Sequence, residues 1–143
     1  MTQKETNEEI LQKLYDKLNR VLPETVYISA ENAKFVELIP SNEILFISTE
    51  KADEDKASDK RLIIYTIDGN KFYNKDSMKD IEEKLSKDQN FMRTHYSYIA
   101  NLKYVRGIQK DSTSGYMLVM KNSDKQVPVS QNYQGQVKAF FGI

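Results

Sequence analysis

A change of hydrophobic period at Pro23 constrains this fold more than any other feature of the chain. Before it, Ile10, Leu11, Leu14, Leu18, Val21 and Leu22 recur at helical spacing with charges between them. Thr6 and Glu9 make a capping-box pattern, so the spacing predicts an amphipathic helix from about 6 to 22 that Pro23 stops. After Pro23, apolar residues come in short runs between turn formers, which is the pattern of strands. Val26-Tyr27-Ile28 and Phe35 to Ile39 flank Glu31-Asn32 as a hairpin. Ile44-Leu45-Phe46-Ile47 is a continuous apolar run, as expected of a buried strand. Arg61 to Ile67 and Lys71 to Tyr73 surround Asp68-Gly69-Asn70, where Asp-Gly is expected to supply the positive φ values of a tight hairpin. Ser77 with Asp80 opens a second helix that carries Met78, Ile81 and Leu85 on one face. Further strands are expected near Ile99–Leu102, Val105–Gln109, Tyr116–Lys121 and Gln126–Val129, with turns at Ser112–Gly115 and Asn122–Asp124. The tail from Gln134 to Phe141 reads as a short helix burying Val137 and Phe140, with Phe141 alongside. The residues therefore predict one mainly β domain with small helices at its margins.

Catalytic chemistry finds little support. With one histidine and no cysteine among 143 residues, there is no Cys-His pair, no disulfide and no histidine cluster for a transition metal. The five glycines lie apart and form no phosphate-cradling loop. The charged loop from Lys51 to Asp59 lacks the glycine and terminal glutamate of a calcium loop and is expected to be solvated. The expectation is a protein that is not an enzyme, with no cofactor, no metal and no small-molecule substrate. No apolar run approaches the roughly 20 residues of a membrane span, and the polar start lacks a signal segment, so a cytoplasmic location is expected. Net charge is zero, but its distribution is uneven. Residues 1–90 carry 14 Lys and Arg against 19 Asp and Glu, whereas residues 91–143 carry 7 against 2 and are net +5. A basic C-terminal part suits a phosphate-facing surface, although an excess of this size also occurs as ordinary surface variation.

Two segments carry more than composition. Phe91-Met92-Arg93-Thr94-His95-Tyr96-Ser97-Tyr98-Ile99-Ala100-Asn101 resembles the F-x-R-x-H-R-S-Y-I-V-N signature of LytTR-type DNA-binding domains. Val127-Pro128-Val129-Ser130-Gln131-Asn132-Tyr133 is similar to the I-P-V-S-R-R-Y segment near the end of the same domain. Ile39 to Ile47, Tyr65 to Gly69 and Ser77 to Glu82 look like other family segments, so the resemblance covers roughly residues 30 to 143. It implies a LytTR-like fold of several small sheets with short peripheral helices, here preceded by the N-terminal amphipathic helix. It also implies loops that enter successive major grooves on one side of duplex DNA, often at paired direct repeats. Too few residues precede the domain for the family's usual receiver, so a stand-alone regulator is expected. By analogy with stand-alone members, an inhibitory membrane protein is a partner to consider.

The same resemblance marks candidate contacts. Lys60 and Arg61 stand where the family presents a base- or phosphate-contacting residue. Arg93 pairs with phosphate, or else with a carboxylate at the edge of the core. His95 gives a hydrogen bond to phosphate or holds a structural one, and Ser97 offers a hydroxyl to phosphate. Tyr98 and Ile99 read as core, and Asn101 as a strand-end group that satisfies backbone. Tyr96 stands where the family usually has arginine, and Gln131 and Asn132 where it often has two more. Arginine reads guanine at O6 and N7, whereas an amide reads adenine at N6 and N7, so preference is expected to shift toward A·T-containing sites. Lys103, Arg106, Lys110, Lys121 and Lys138 would offset the lost cations if they shared one face.

These readings divide the chain into residues 1–25, an amphipathic helix for dimerisation or docking, and residues 26–143, a LytTR-like DNA-binding domain. The helix either packs on its own domain or serves as a short coiled coil. Two functions compete: a transcriptional regulator binding duplex DNA, as a homodimer on a repeated site, and a protein-interaction module with weakened DNA binding that modulates a related regulator or serves a membrane partner.

Overall fold

The computed structural model describes residues 6–21, 26–31, 36–49, 61–110 and 115–143. Within them the chain is mainly β, as its patterning predicts. Helix α1 (Asn7–Val21) leads into a hairpin of β1 (Tyr27–Glu31) and β2 (Val36–Pro40). A five-stranded antiparallel sheet follows, built from β3 (Ile44–Thr49), β4 (Leu62–Thr66), β5 (Lys71–Asn74), β6 (Phe91–His95) and β7 (Tyr98–Asn101) in the order β5-β4-β3-β7-β6. Helix α2 (Met78–Leu85) connects β5 to β6. A three-stranded sheet of β8 (Val105–Lys110), β9 (Tyr116–Met120) and β10 (Gln126–Val129) comes next, in the order β10-β9-β8, and α3 (Gln134–Phe141) closes the chain.

The continuous apolar runs are explained by burial on both faces of the larger sheet. On one face, Ile44, Ile47, Leu62, Ile64 and Ile99 pack with Ile28 and Ile39 of the hairpin and with Met78, Ile81 and Leu85 of α2. On the other, Leu45, Phe46, Ile63, Tyr65 and Ala100 pack with Leu118, Met120, Val127 and Val129 of the smaller sheet and with Val137 of α3. Strict alternation would put Ile44 and Phe46 on one side. A register shift between them, where Ile44 faces Thr66 but Phe46 faces Tyr65, sends Phe46 to the opposite core. There its ring stacks on Tyr65 at 4.4 Å.

Local signals hold, with two corrections. The Thr6 hydroxyl accepts from Glu9 N at 3.1 Å, and Ser77 caps α2 by accepting from Asp80 N at 3.1 Å. The β4–β5 turn is not the tight Asp-Gly form. Gly69 N donates to Thr66 O, Thr66 N donates to Asn70 O, and only Gly69 of this turn has positive φ, at 88°. It is a three-residue loop that needs the left-handed conformation once. In α3, Val137 is buried, but Phe140 is 42% exposed and Phe141 is the ring that packs against the core. Helix α1 contacts its own domain through Tyr15. Tyr15 Oη donates to Tyr27 O at 3.0 Å, and Lys84 Nζ of α2 lies 5.8 Å from the Tyr15 ring centroid. Burial pushes the Tyr15 phenol above its ordinary pKa. The 22–25 and 32–35 segments, the acidic loop and the 111–114 turn lie outside the described residues, and with them Phe35.

Asn101 satisfies backbone, as its position suggests. Its Nδ2 donates to Ile44 O at 2.9 Å and its Oδ1 accepts from Lys103 N at 3.2 Å, in a residue only 1% exposed. Asn101→Ala would leave a buried carbonyl unpaired and is expected to lower stability by about 1–3 kcal/mol. Urea unfolding measures this, and an unchanged midpoint would contradict the assignment.

Candidate nucleic-acid interface

One end of the five-stranded sheet gathers most of the candidate residues. There β3 leaves and β4 enters, with Thr49 opposite Leu62. The β6–β7 turn reaches the same end, because Thr49 N donates to Ser97 O at 3.1 Å. Arg61 therefore stands just before β4 on one side of this end, and Tyr96 and Ser97 stand on the other. Lys60 lies outside the described residues.

The second segment is brought in by a bulge. Register in β6 shifts between Arg93, opposite Ile99, and His95, opposite Tyr98, leaving Thr94 as the extra residue. The Thr94 carbonyl accepts from Ser130 N at 2.9 Å. This bond ties the end of β10 to β6 and sets the following 3-10 turn, Gln131–Tyr133, beside the β6–β7 turn. Gln131 and Asn132 are both exposed on it. Nothing in sequence pattern marks Thr94, since a bulge shows only once two strands are paired.

Within the β6–β7 turn the residues divide into presenters and holders. Tyr96 is presented, at 71% exposed, with its ring stacked on His95 at 4.6 Å. His95 holds: its Nδ1 accepts from Ser97 N at 3.1 Å and its ring meets Tyr98 edge-on at 5.6 Å. Accepting at Nδ1 leaves Nε2 to carry the proton of the neutral ring, where it remains a donor. Burial, and secondarily the Arg93 charge, hold the His95 pKa below its ordinary value. Ser97 is 4% exposed, and its backbone donates to His95 Nδ1 and accepts from Thr49 N.

Arg93 also holds. Its Nη2 donates to the Tyr96 carbonyl at 2.5 Å, and its Nη1 pairs with Glu82 Oε1 of α2 at 3.3 Å. The guanidinium is largely covered, with 20% of the side chain exposed. Of the two roles open to it, the carboxylate pair is observed. Glu82 lies in α2, before β6 in the chain, and no local sequence pattern marks this partnership. Arg61 is exposed and lies over the Tyr73 ring at 4.2 Å. Tyr98 and Ile99 belong to the core, as expected.

Lys103, Arg106, Lys110, Lys121 and Lys138 do not gather at one end of the smaller sheet. Strand register places Lys110 opposite Tyr116, and Tyr116 opposite Val129, at the end of the smaller sheet nearest Ser130. Lys138 of α3 lies over the Tyr116 ring at 4.8 Å. Lys103 and Lys121 flank Tyr104 at the opposite end, where Val105 faces Met120. Arg106 follows Val105 there. Among the described residues no group of three or more acidic, histidine or cysteine side chains is placed to hold a metal ion.

A model of the LytTr DNA-binding domain family matches residues 34–142. A sensory transduction protein LytT of Bacillus subtilis (strain 168) is 31% identical over 131 residues, covering 92% of this chain and 53% of that protein. A LytT protein of Bacillus anthracis is 40% identical over 68 residues, 48% of this chain and 27% of that protein. The chain thus spans about half the length, or less, of the curated relatives it matches. In fold it is similar to the LytTr DNA-binding domain of a Bacillus cereus protein described as a methyl-accepting/DNA response regulator. That match has a TM-score of 0.66 at 23% identity and covers 82% of this chain and 98% of the other.

The His95 geometry sets a pH dependence. Because the folded state favours the neutral ring, its contribution is full above the ordinary value of 6.5 and is lost as pH falls through the lower folded value. An NMR titration is expected to give a His95 midpoint below 6.5, with the Ser97 amide shifting at that same midpoint. A Ser97 amide indifferent to His95 protonation would contradict Nδ1 as its acceptor.

Proposed function

The chain belongs to the LytTr DNA-binding domain family, and from that premise we propose that it is a bacterial transcriptional regulator that reads duplex DNA through the loops gathered at one end of its larger sheet. The observation that supports this reading most is the meeting of two distant segments. The Thr94–Ser130 bond brings Gln131 and Asn132 beside the turn that presents Tyr96. Exposed amides and an exposed phenol on a braced framework suit direct readout of base edges. Gln131 and Asn132 suit adenine, and Tyr96 suits a thymine methyl or a single hydroxyl bond. The family premise supports pairing of two copies on a direct repeat. The Tyr15 contact of α1 with its own domain supports pairing set by the spacing of the half-sites. No helix among the described residues is long and apolar enough to cross a membrane. We place the protein in the cytoplasm, where its DNA is.

One observation favours the rival reading, a protein-interaction module. Tyr96, Gln131 and Asn132 bring no cation to the surface, and Arg93 is committed to Glu82. Sequencing of genomic fragments retained by the purified protein at low and physiological salt decides between the two. The regulator should enrich a repeated A·T-containing motif that survives physiological salt. Folded protein that enriches nothing at either salt would move the weight to the interaction module.

Two variants test the roles assigned within the interface. Gln131→Ala is expected to relax preference at one or two base pairs, with a loss of about 1–3 kcal/mol in discrimination. Arg93→Ala is expected to weaken binding to every sequence while leaving the salt slope unchanged, because it frees the turn and removes no phosphate contact. A slope lowered by about 1 would instead make Arg93 a phosphate ligand.

A further inference from the structure

We propose that Lys110, Tyr116 and Lys138 form a phosphate-binding site for the sugar–phosphate backbone beside the readout turns. This rests on the DNA-binding reading above. The three residues come from the end of β8, the start of β9 and α3, so only the folded chain assembles them. Strand register sets Lys110, Tyr116 and Val129 side by side at one end of the smaller sheet, and Ser130 then bonds to the bulged strand that leads to Tyr96. The cluster is thus at the readout end of the molecule. Lys138 Nζ lies 4.8 Å from the Tyr116 ring centroid.

The electrostatics agree with this placement. A hydrogen bond with Lys138, then the charges of Lys138 and Lys110, draw the Tyr116 phenol below its ordinary pKa against the opposing effect of burial. Lys138 is the stronger influence on the phenol, and Lys110, its neighbour in strand register, the weaker one. Neither is paired with a carboxylate among the described residues, where the ion pairs shown are Lys84–Asp76 and Arg93–Glu82. Asp111 follows Lys110 in the chain and lies outside the described residues. Ammonium groups bind phosphate as point charges, and a phenol adds a directed hydrogen bond. The site would supply sequence-independent attraction that Tyr96, Gln131 and Asn132 lack.

The molecule contains its own control. Lys103 and Lys121 flank Tyr104 at the opposite end of the same sheet, so removing them subtracts the same charge from the wrong place. Salt-dependent binding of the full chain to a retained DNA motif and to random duplex tests the inference. The Lys110→Gln/Lys138→Gln double variant is expected to lower the salt slope by about 2 on both DNAs, leaving their affinity ratio unchanged. Lys103→Gln/Lys121→Gln should leave the slope as in the parent. Thermal unfolding confirms that each variant is folded. Equal slopes in the parent and the first variant, or an equal fall in both variants, would overturn the site and leave the DNA reading standing. A parent chain that binds neither DNA would overturn both.

Discussion

Burial of one antiparallel sheet on both faces is the constraint on which the rest of this molecule depends. β3 and β4 are buried along nearly their whole length because each has a core on either side. Such a sheet cannot present a face to a ligand. Its surfaces are taken by the hairpin and α2 on one side, and by the smaller sheet and α3 on the other. What remains for function is the end of the sheet, where strands stop and turns project. Binding groups on loops held by a buried scaffold are a common outcome of this arrangement.

The bulge at Thr94 converts that general consequence into a particular geometry. The register shift in β6 separates Arg93 from His95 and frees a carbonyl for Ser130. One irregularity thereby positions two surfaces. It sets the His95 ring under the Tyr96 ring, and it draws the Gln131–Tyr133 turn to the same end. The turn is braced again from α2, through Glu82, Arg93 and the Tyr96 carbonyl. A presented side chain is only as selective as the framework beneath it.

Charge and readout are therefore separated in space. The tip carries an aromatic ring and two amides, while the cations stand to the side, at Arg61, Lys110 and Lys138. In a chain of zero net charge this matters more than the total. On the proposed reading, ammonium groups at a flank would contribute attraction that falls with salt, and neutral groups at the tip selection that does not.

Much of this was legible in local pattern. The helix before Pro23, the short strands after it, the caps at Thr6 and Ser77, the backbone role of Asn101 and the family itself follow from neighbours a few residues apart. Short-range signals suffice there because period, capping and motif are properties of adjacent residues. Other features became definite only when the chain packed. The Arg93–Glu82 ion pair, the burial of Ser97, the exposure of Phe140 and the placing of the lysines at two ends of the smaller sheet all turn on how strands and helices pack. A one-residue register shift in a strand sends a side chain to the opposite face, and no local pattern encodes which shift will occur. The candidate residues could thus be named from the chain, whereas their division into those that hold and those that face outward was a product of strand register.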